Sequence, residues 1–246
     1  YANTTGASNS AVGYGALDSN TTGSYNTALG RDALTANTTA SNNTAVGYQA
    51  AYSNTTGANN VAVGEDALRS NTTSSNNTAV GQQSMYYTTG TYNAALGQTA
   101  LHLNTTGNYN VAIGGSSLFS NTTASNNTAV GYQAGYSNTT GAQNVALGMF
   151  TLHSNVSGEY NTATGYAALE ANTGSYNTAV GGSALYANTS GNSNTAVGYS
   201  ALETNTTGTR NAALGVQALE MNTTGTDNVA VGHDALEDNT TGLYNT

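Results

Sequence analysis

Apolar and polar positions alternate in a short block, Asn-(Thr/Val/Ser/Ala)-Ala-(Val/Leu/Ile/Thr)-Gly, that returns fourteen times along the chain, as in Asn43-Thr44-Ala45-Val46-Gly47. Its closing glycines run from Gly13 to Gly232 in steps of 17 residues, shortened to 16 at two places. A fixed period in this range is the signature of a solenoid or related stacked array. The alternation within the block predicts one short β-strand per repeat. The residues one and three before the glycine then share one face, and Ala and Asn the other. Both faces are expected to be buried. The invariant Ala column, with Ala45, Ala62 and Ala129, is expected where a larger side chain would collide with neighbouring backbone or a partner chain.

Three and four residues past each glycine stand a small residue and usually Leu, as in Ala67-Leu68 and Ala201-Leu202, followed by a second signature, Asn-Thr-Thr-Gly. This pattern predicts a second strand or bend at the Leu, then a turn in which Gly takes positive φ. The turn glycine gives way to Ala40, Ser74 and Ala124, whereas the closing glycine, as in Gly47, Gly64 and Gly131, never does. The closing corner is therefore expected to be the tighter one. Stacked coils turn the Asn of the block, as in Asn43, Asn60, Asn77 and Asn127, into a column whose amides are expected to bond the amides above and below. Residues 37–57 and 121–141 differ only at Ala51 versus Gly135, which points to a duplicated group of coils. The coil from Met149 to Thr164 diverges most and is the expected irregularity.

The fold class that follows is all-β: a parallel β-solenoid of about fourteen coils of 17 residues. Residues 1–246 read as a single repeat array, and its uncapped start and finish are expected of a segment of a longer fibrous protein. Each coil offers only about two large apolar side chains to 17 ordered residues, thin burial that favours a shared core with other chains.

Composition narrows the function more than it defines it. Charged residues make up 6%, there are 30 Gly, and Pro, Cys and Trp are absent, which is unlike an ordinary globular enzyme. The strict apolar period argues against disorder. A net charge of −9 with only Arg31, Arg69 and Arg210 as bases argues against nucleic-acid binding. No run of 18 apolar residues offers a membrane span, and no signal-peptide pattern is present. His102, His153 and His233 are far apart in sequence and Ser and Thr fill the turns, so no nucleophile and base pair is expected, no enzyme activity and no cofactor.

Three surface features remain. Glu203, Glu220 and Glu237 share a column in successive coils, with Glu170 two coils below Glu203; such carboxylates either splay into solvent or share a cation. Tyr48, Tyr132, Tyr166 and Tyr199 follow closing glycines and are candidate surface-recognition residues, able to stack on sugars or fill an interface. Plain exposure explains them as well, because their column also accepts Arg, Glu and Gln. Asn-Thr-Thr matches the N-glycosylation acceptor at Asn20, Asn54, Asn104 and Asn205, although turn chemistry explains the same residues.

The element Asn-Val-Ala-Ile-Gly at 110–114 resembles the head repeats of YadA-type trimeric autotransporter adhesins. The fuller string Asn-Thr-Ala-Val-Gly-Tyr-Gln-Ala-Gly-Tyr-Ser-Asn-Thr-Thr-Gly at 127–141 is similar to repeats of long phage tail fibres and other bacterial surface fibres. The adhesin repeat is shorter than 17 residues, so the Asn-Thr-Thr-Gly turn is this chain's departure. The resemblance covers the whole chain and implies a left-handed β-roll, a homotrimer and an extracellular place on a cell-surface filament or virion fibre. A rigid spacer and host- or surface-binding element, with surface glycans as ligands, is the function it implies. The alternative is an ice-binding solenoid with a regular Thr face, against which Val61, Val111, Val145, Val229, Ala94 and Ala212 interrupt the Thr column.

Overall fold

The computed structural model describes residues 2–246, and their contacts divide the chain into two compact units, Tyr1–Ser125 and Asn126–Thr246. Each unit is a parallel β-solenoid with one three-residue strand per coil, placed where the Asn-x-Ala-x-Gly block predicts. The first unit holds β1 (Ser10–Val12), β2 (Thr27–Leu29), β3 (Thr44–Val46), β4 (Val61–Val63), β5 (Thr78–Val80), β6 (Ala94–Leu96) and β7 (Val111–Ile113). The second holds β8 (Thr128–Val130), β9 (Val145–Leu147), β10 (Thr162–Thr164), β11 (Thr178–Val180), β12 (Thr195–Val197), β13 (Ala212–Leu214) and β14 (Val229–Val231). Within each unit every strand pairs in parallel with the next, and the Ala column stays in register, as in Ala45 with Ala62, Ala62 with Ala79 and Ala129 with Ala146. The divergent coil keeps that register, with β10 paired to β9 and β11. Its irregularity is therefore confined to side chains, which corrects the sequence expectation.

The closing glycine is the tight corner that the sequence predicts. Gly47 has φ of 133°, a region that side-chain-bearing residues rarely adopt, and a methyl group there would lie 2.5 Å from the carbonyl oxygen of Gly64. The turn glycine differs from expectation: Gly23 and Gly57 are not among the positive-φ residues. Its constraint is spatial, since a methyl on Gly57 would meet the Ser74 carbonyl oxygen, yet Ala40, Ser74 and Ala124 fill the same column as buried residues.

No second strand forms around the Leu. The chain there runs through left-handed positions two and four past the glycine, such as Asp32 (φ 57°) and Leu34 (φ 51°). A left-handed L-residue costs about 1–2 kcal/mol. Hydrogen bonds between coils offset it: the Asp32 N–H donates to Tyr14 O at 2.8 Å and the Leu34 N–H to Ala50 O at 3.0 Å. This geometry turns Leu34, Leu68 and Leu101, and in the second unit Leu169, Leu185 and Leu202, into the coil interior, where all are fully buried.

The Ala column faces that same interior, so its small size is set by the chain's own core rather than by a partner. Ala45, Ala62 and Ala129 are buried. Only this face is closed. The expectation that both strand faces are buried fails, because the opposite face is half-buried in strands such as β3, β4 and β8 and exposed in β1, β2, β6 and β14.

Two Asn columns stitch the coils together, and the expected amide-to-amide bonding holds for only part of the block column. In the block column, Asn43 Oδ1 accepts the backbone N–H of Asn60 at 2.9 Å, while its Nδ2 donates to Gly57 O at 2.9 Å. Asn60 and Asn77 repeat the pattern, and Asn127 Oδ1 accepts from the N–H of Asn144 at 2.9 Å. Strand donors alternate in direction, and at this position the N–H points back toward the previous coil, where the amide oxygen receives it. Some block amides also bond the amide of the previous coil, as Asn93 to Asn77 at 3.3 Å and Asn228 to Asn211 at 3.2 Å. The more regular amide-to-amide ladder runs through the turn column: Asn37 to Asn20 at 2.9 Å, Asn54 to Asn37 at 3.1 Å and Asn71 to Asn54 at 2.9 Å. In the second unit Asn205 donates to Asn188 at 2.8 Å and Asn222 to Asn205 at 2.9 Å. Where Thr88 replaces Asn, its Oγ1 receives the Asn104 amide at 2.9 Å.

Candidate functional site

The outer strand face carries exposed aliphatic side chains in each unit. Val12, Leu29 and Leu96 in the first unit are 63%, 48% and 51% exposed, and Leu214 and Val231 in the second are 51% and 69% exposed. Within each unit, period-two geometry places them on one line, since each stands one residue before a closing glycine in parallel, in-register strands. The column mixes exposed members with half-buried ones such as Val46, Val63 and Val130, and Thr164 interrupts it in the second unit. Exposed aliphatic side chains repeated at this spacing on a polar chain mark an interaction surface in physical terms.

A second surface lies just past the closing glycine. Tyr48, Tyr132, Tyr166 and Tyr199 are all exposed there. The Arg31 guanidinium sits over Tyr48 at 5.8 Å from the ring centroid, and Tyr199 lies over Gly182. Tyr132 and Tyr166 both meet Phe150 edge-on, at 5.8 and 6.2 Å, and Phe150 also meets His153 at 5.8 Å. The structure thus gathers Tyr132 and Tyr166 around the divergent coil and leaves Tyr48 in the other unit. Sequence reasoning missed Phe150 and His153; their place in a coil that departs from the repeat was the available signal.

Most other aromatic columns use their ring faces on each other. Tyr92 stacks on Tyr109 at 5.2 Å and Tyr160 on Tyr176 at 5.1 Å, each pair beside one of the two shortened coils. His102 stacks on Phe119 at 5.2 Å, Tyr136 on His153 at 5.3 Å, and Arg69 is held over Tyr52 and Tyr86. Faces occupied in this way are closed to stacking on a sugar ring.

Glu203, Glu220 and Glu237 stand in one column of the second unit. Gln217 Nε2 donates to Glu220 at 2.7 Å, and the Glu237 carboxyl is held above its ordinary range by desolvation first and then by Asp234, Asp238 and Glu220. Among the described residues no group of three or more His, Asp or Glu is arranged to hold a metal ion. At the Asn-Thr-Thr turns, the first Thr is a clasp: Thr21, Thr38 and Thr55 Oγ1 donate to the carbonyls of Thr38, Thr55 and Thr72 at 3.0, 3.2 and 2.9 Å. Asn20, Asn54, Asn104 and Asn205, the acceptor candidates of those turns, are buried ladder members.

No protein-family model matches this chain, and no curated protein sequence matches it. No helix among the described residues is long and apolar enough to cross a membrane.

Proposed function

We propose that the chain is a structural segment of an extracellular fibre of the adhesin or tail-fibre kind, a homotrimer in which it acts as a rigid spacer. The exposed aliphatic row carries this reading: Leu29, Leu96 and Leu214 stand in water on a single chain, and copies of the same chain offer the same row for mutual burial. Burying such a row among copies also supplies the apolar contact that Leu and Ala inside each coil provide only sparsely. Threefold symmetry and a left-handed roll rest on the resemblance of the 110–114 element to the adhesin heads. Tyr132 and Tyr166, on a different column from the row, remain accessible for surface recognition in such an assembly. An ice-binding role ranks second because the most regular hydroxyl column, through Thr21, Thr38 and Thr55, donates to backbone rather than to water.

The test is the variant Leu96→Glu/Leu214→Glu. Both positions are exposed on the single chain, so its circular dichroism should match that of the parent. Its particle mass in sedimentation should fall to one chain, because a carboxylate buried between copies costs several kcal/mol without a partner. An unchanged particle mass would remove the aliphatic row as the interface.

A further inference from the structure

The structure divides the Asn-x-Thr/Ser tripeptides of this chain into two groups by the position of the acceptor amide. Eleven of them, at Asn20, Asn37, Asn54, Asn71, Asn104, Asn121, Asn138, Asn155, Asn188, Asn205 and Asn222, lie in the turn ladder at 0–2% exposure, while the two outermost turn members, Asn3 and Asn239, are exposed and half-buried. Their Nδ2 atoms are committed twice. Asn54 Nδ2 donates to Asn37 Oδ1 at 3.1 Å and to Gly57 O at 2.9 Å, and Asn205 Nδ2 to Asn188 Oδ1 at 2.8 Å and to Gly208 O at 3.1 Å. A sugar on such a nitrogen would replace one of these hydrogens and require room between coils about 4.8 Å apart.

A second, less conspicuous group reads Asn-Asn-Thr, at Asn42-Asn43-Thr44, Asn76-Asn77-Thr78 and Asn126-Asn127-Thr128. Here the middle Asn is the one that points inward. Asn42 and Asn126 are exposed, Asn76 is half-buried, and each takes a left-handed conformation with φ of 61–62°. Burial alternates along the tripeptide: Asn43 and Asn127 are buried while Thr44 and Thr128 are half-buried, so the first Asn and the Thr are both accessible and the middle Asn is not. Asn is at home in this conformation, but the same column also holds Tyr25, Gln143, Ser193 and Arg210 at positive φ, so the backbone alone does not demand an amide.

We propose that Asn42 and Asn126 are acceptor sites for N-linked glycosyl transfer to the folded chain, and that the fold closes the eleven internal turn tripeptides to the same reaction. The donor class is a nucleoside-diphosphate hexose, brought by a separate glycosyltransferase. Asn42 Nδ2 forms the bond to the anomeric carbon, the bond from that carbon to the diphosphate oxygen breaks, and the nucleoside diphosphate leaves with the electron pair. The amide proton passes to a base of the transferase. Sugars at these positions stand at the corner before the strand, on the column of the stacked Tyr92 and Tyr109. This inference does not depend on the oligomeric state proposed above.

The test uses a soluble N-glycosyltransferase with UDP-glucose, selected because it modifies unfolded peptides carrying both kinds of tripeptide. The full folded chain and its proteolytic peptides are treated in parallel and mapped by mass spectrometry. In the folded chain hexose is expected on Asn42 and Asn126, more slowly on Asn76, and not on Asn54, Asn104 or Asn205, while the peptides accept it at all of these. Asn42→Gln/Asn126→Gln should remove the two fast additions. Hexose on Asn54, Asn104 or Asn205 of the folded chain at the peptide rate would overturn the proposal, and so would a folded chain left bare at Asn42 and Asn126.

Discussion

Removing one rung of the turn ladder tests whether buried amides hold neighbouring coils together. Asn54→Ala deletes three hydrogen bonds: from Asn54 to Asn37 Oδ1 at 3.1 Å, from Asn54 to Gly57 O at 2.9 Å, and from Asn71 to Asn54 Oδ1 at 2.9 Å. Gly57 O keeps the bond from Asn43, but Asn37 Oδ1 and one Asn71 hydrogen are left buried and unpaired. At about 0.5–1.5 kcal/mol per bond, with a further penalty for the stranded groups, the loss is about 3 kcal/mol or more. Asn54→Thr is the internal control, because Thr88 already serves as a rung and accepts from Asn104 at 2.9 Å; it should cost about 1 kcal/mol. Because stacked repeats can open locally, amide hydrogen exchange is a better assay than a global melt. The N–H groups of Thr38 and Thr55, which bond the next coil at 3.1 and 2.8 Å, should lose roughly 100-fold protection in Asn54→Ala and about fivefold in Asn54→Thr. Equal losses in the two variants, or a loss under fivefold in Asn54→Ala, would show that the ladder is incidental.

Three further outcomes follow from the corners, the core and the acidic column. Gly47→Ala should cost about 3 kcal/mol or more through its left-handed backbone and the clash with Gly64 O, whereas Gly57→Ala, which meets Ser74 O but needs no positive φ and sits in a column that already holds Ala40, should cost less, about 1–2 kcal/mol; urea titration compares them. Ala129→Leu should overpack the coil interior by about 1–3 kcal/mol, while Gln133→Leu, outside the core and in a left-handed conformation that Leu adopts elsewhere in the chain, should cost little in the same titration. The Glu237 carboxyl titrates above its ordinary value in the folded chain, so its stabilising contribution is present in acid and is lost as pH rises through the carboxyl range. The Met221 N–H, bonded to Glu237 O at 3.0 Å, should therefore be better protected near pH 4 than near pH 7 after correction for intrinsic exchange, and Glu237→Gln should flatten the difference.

The parts of this fold readable from sequence are those in which one residue type is the only solution. A closing glycine at φ near 130° with a carbonyl oxygen 2.5 Å from where its methyl would be admits no other residue, so its spacing gave both the period and the strand positions. Ala62 was equally legible, as a position that rejects size. The Leu segment was not, because Leu34 and Asp32 reach left-handed conformations without the Gly or Asn that usually announces them. Asn occurs in two columns with the same residue type and different jobs, and only the direction of the backbone N–H separates them. Alternation also cannot tell a face covered by the same chain from one left open, which is why Val12 and Leu29 were read as buried. At the surface, Tyr48 and Tyr199 were readable as exposed rings, but the gathering of Tyr132, Phe150 and Tyr166 depends on which neighbours each ring meets.

The proposal that further copies of this chain cover the aliphatic row is tested most directly by sedimentation equilibrium of the chain at micromolar concentration, fused to a removable trimerising tag and measured before and after the tag is cleaved. If the proposal holds, the particle should keep a mass of three chains after cleavage, against the single-chain mass of 24.7 kDa. A folded particle of 24.7 kDa after cleavage, with its β-structure intact, would contradict it.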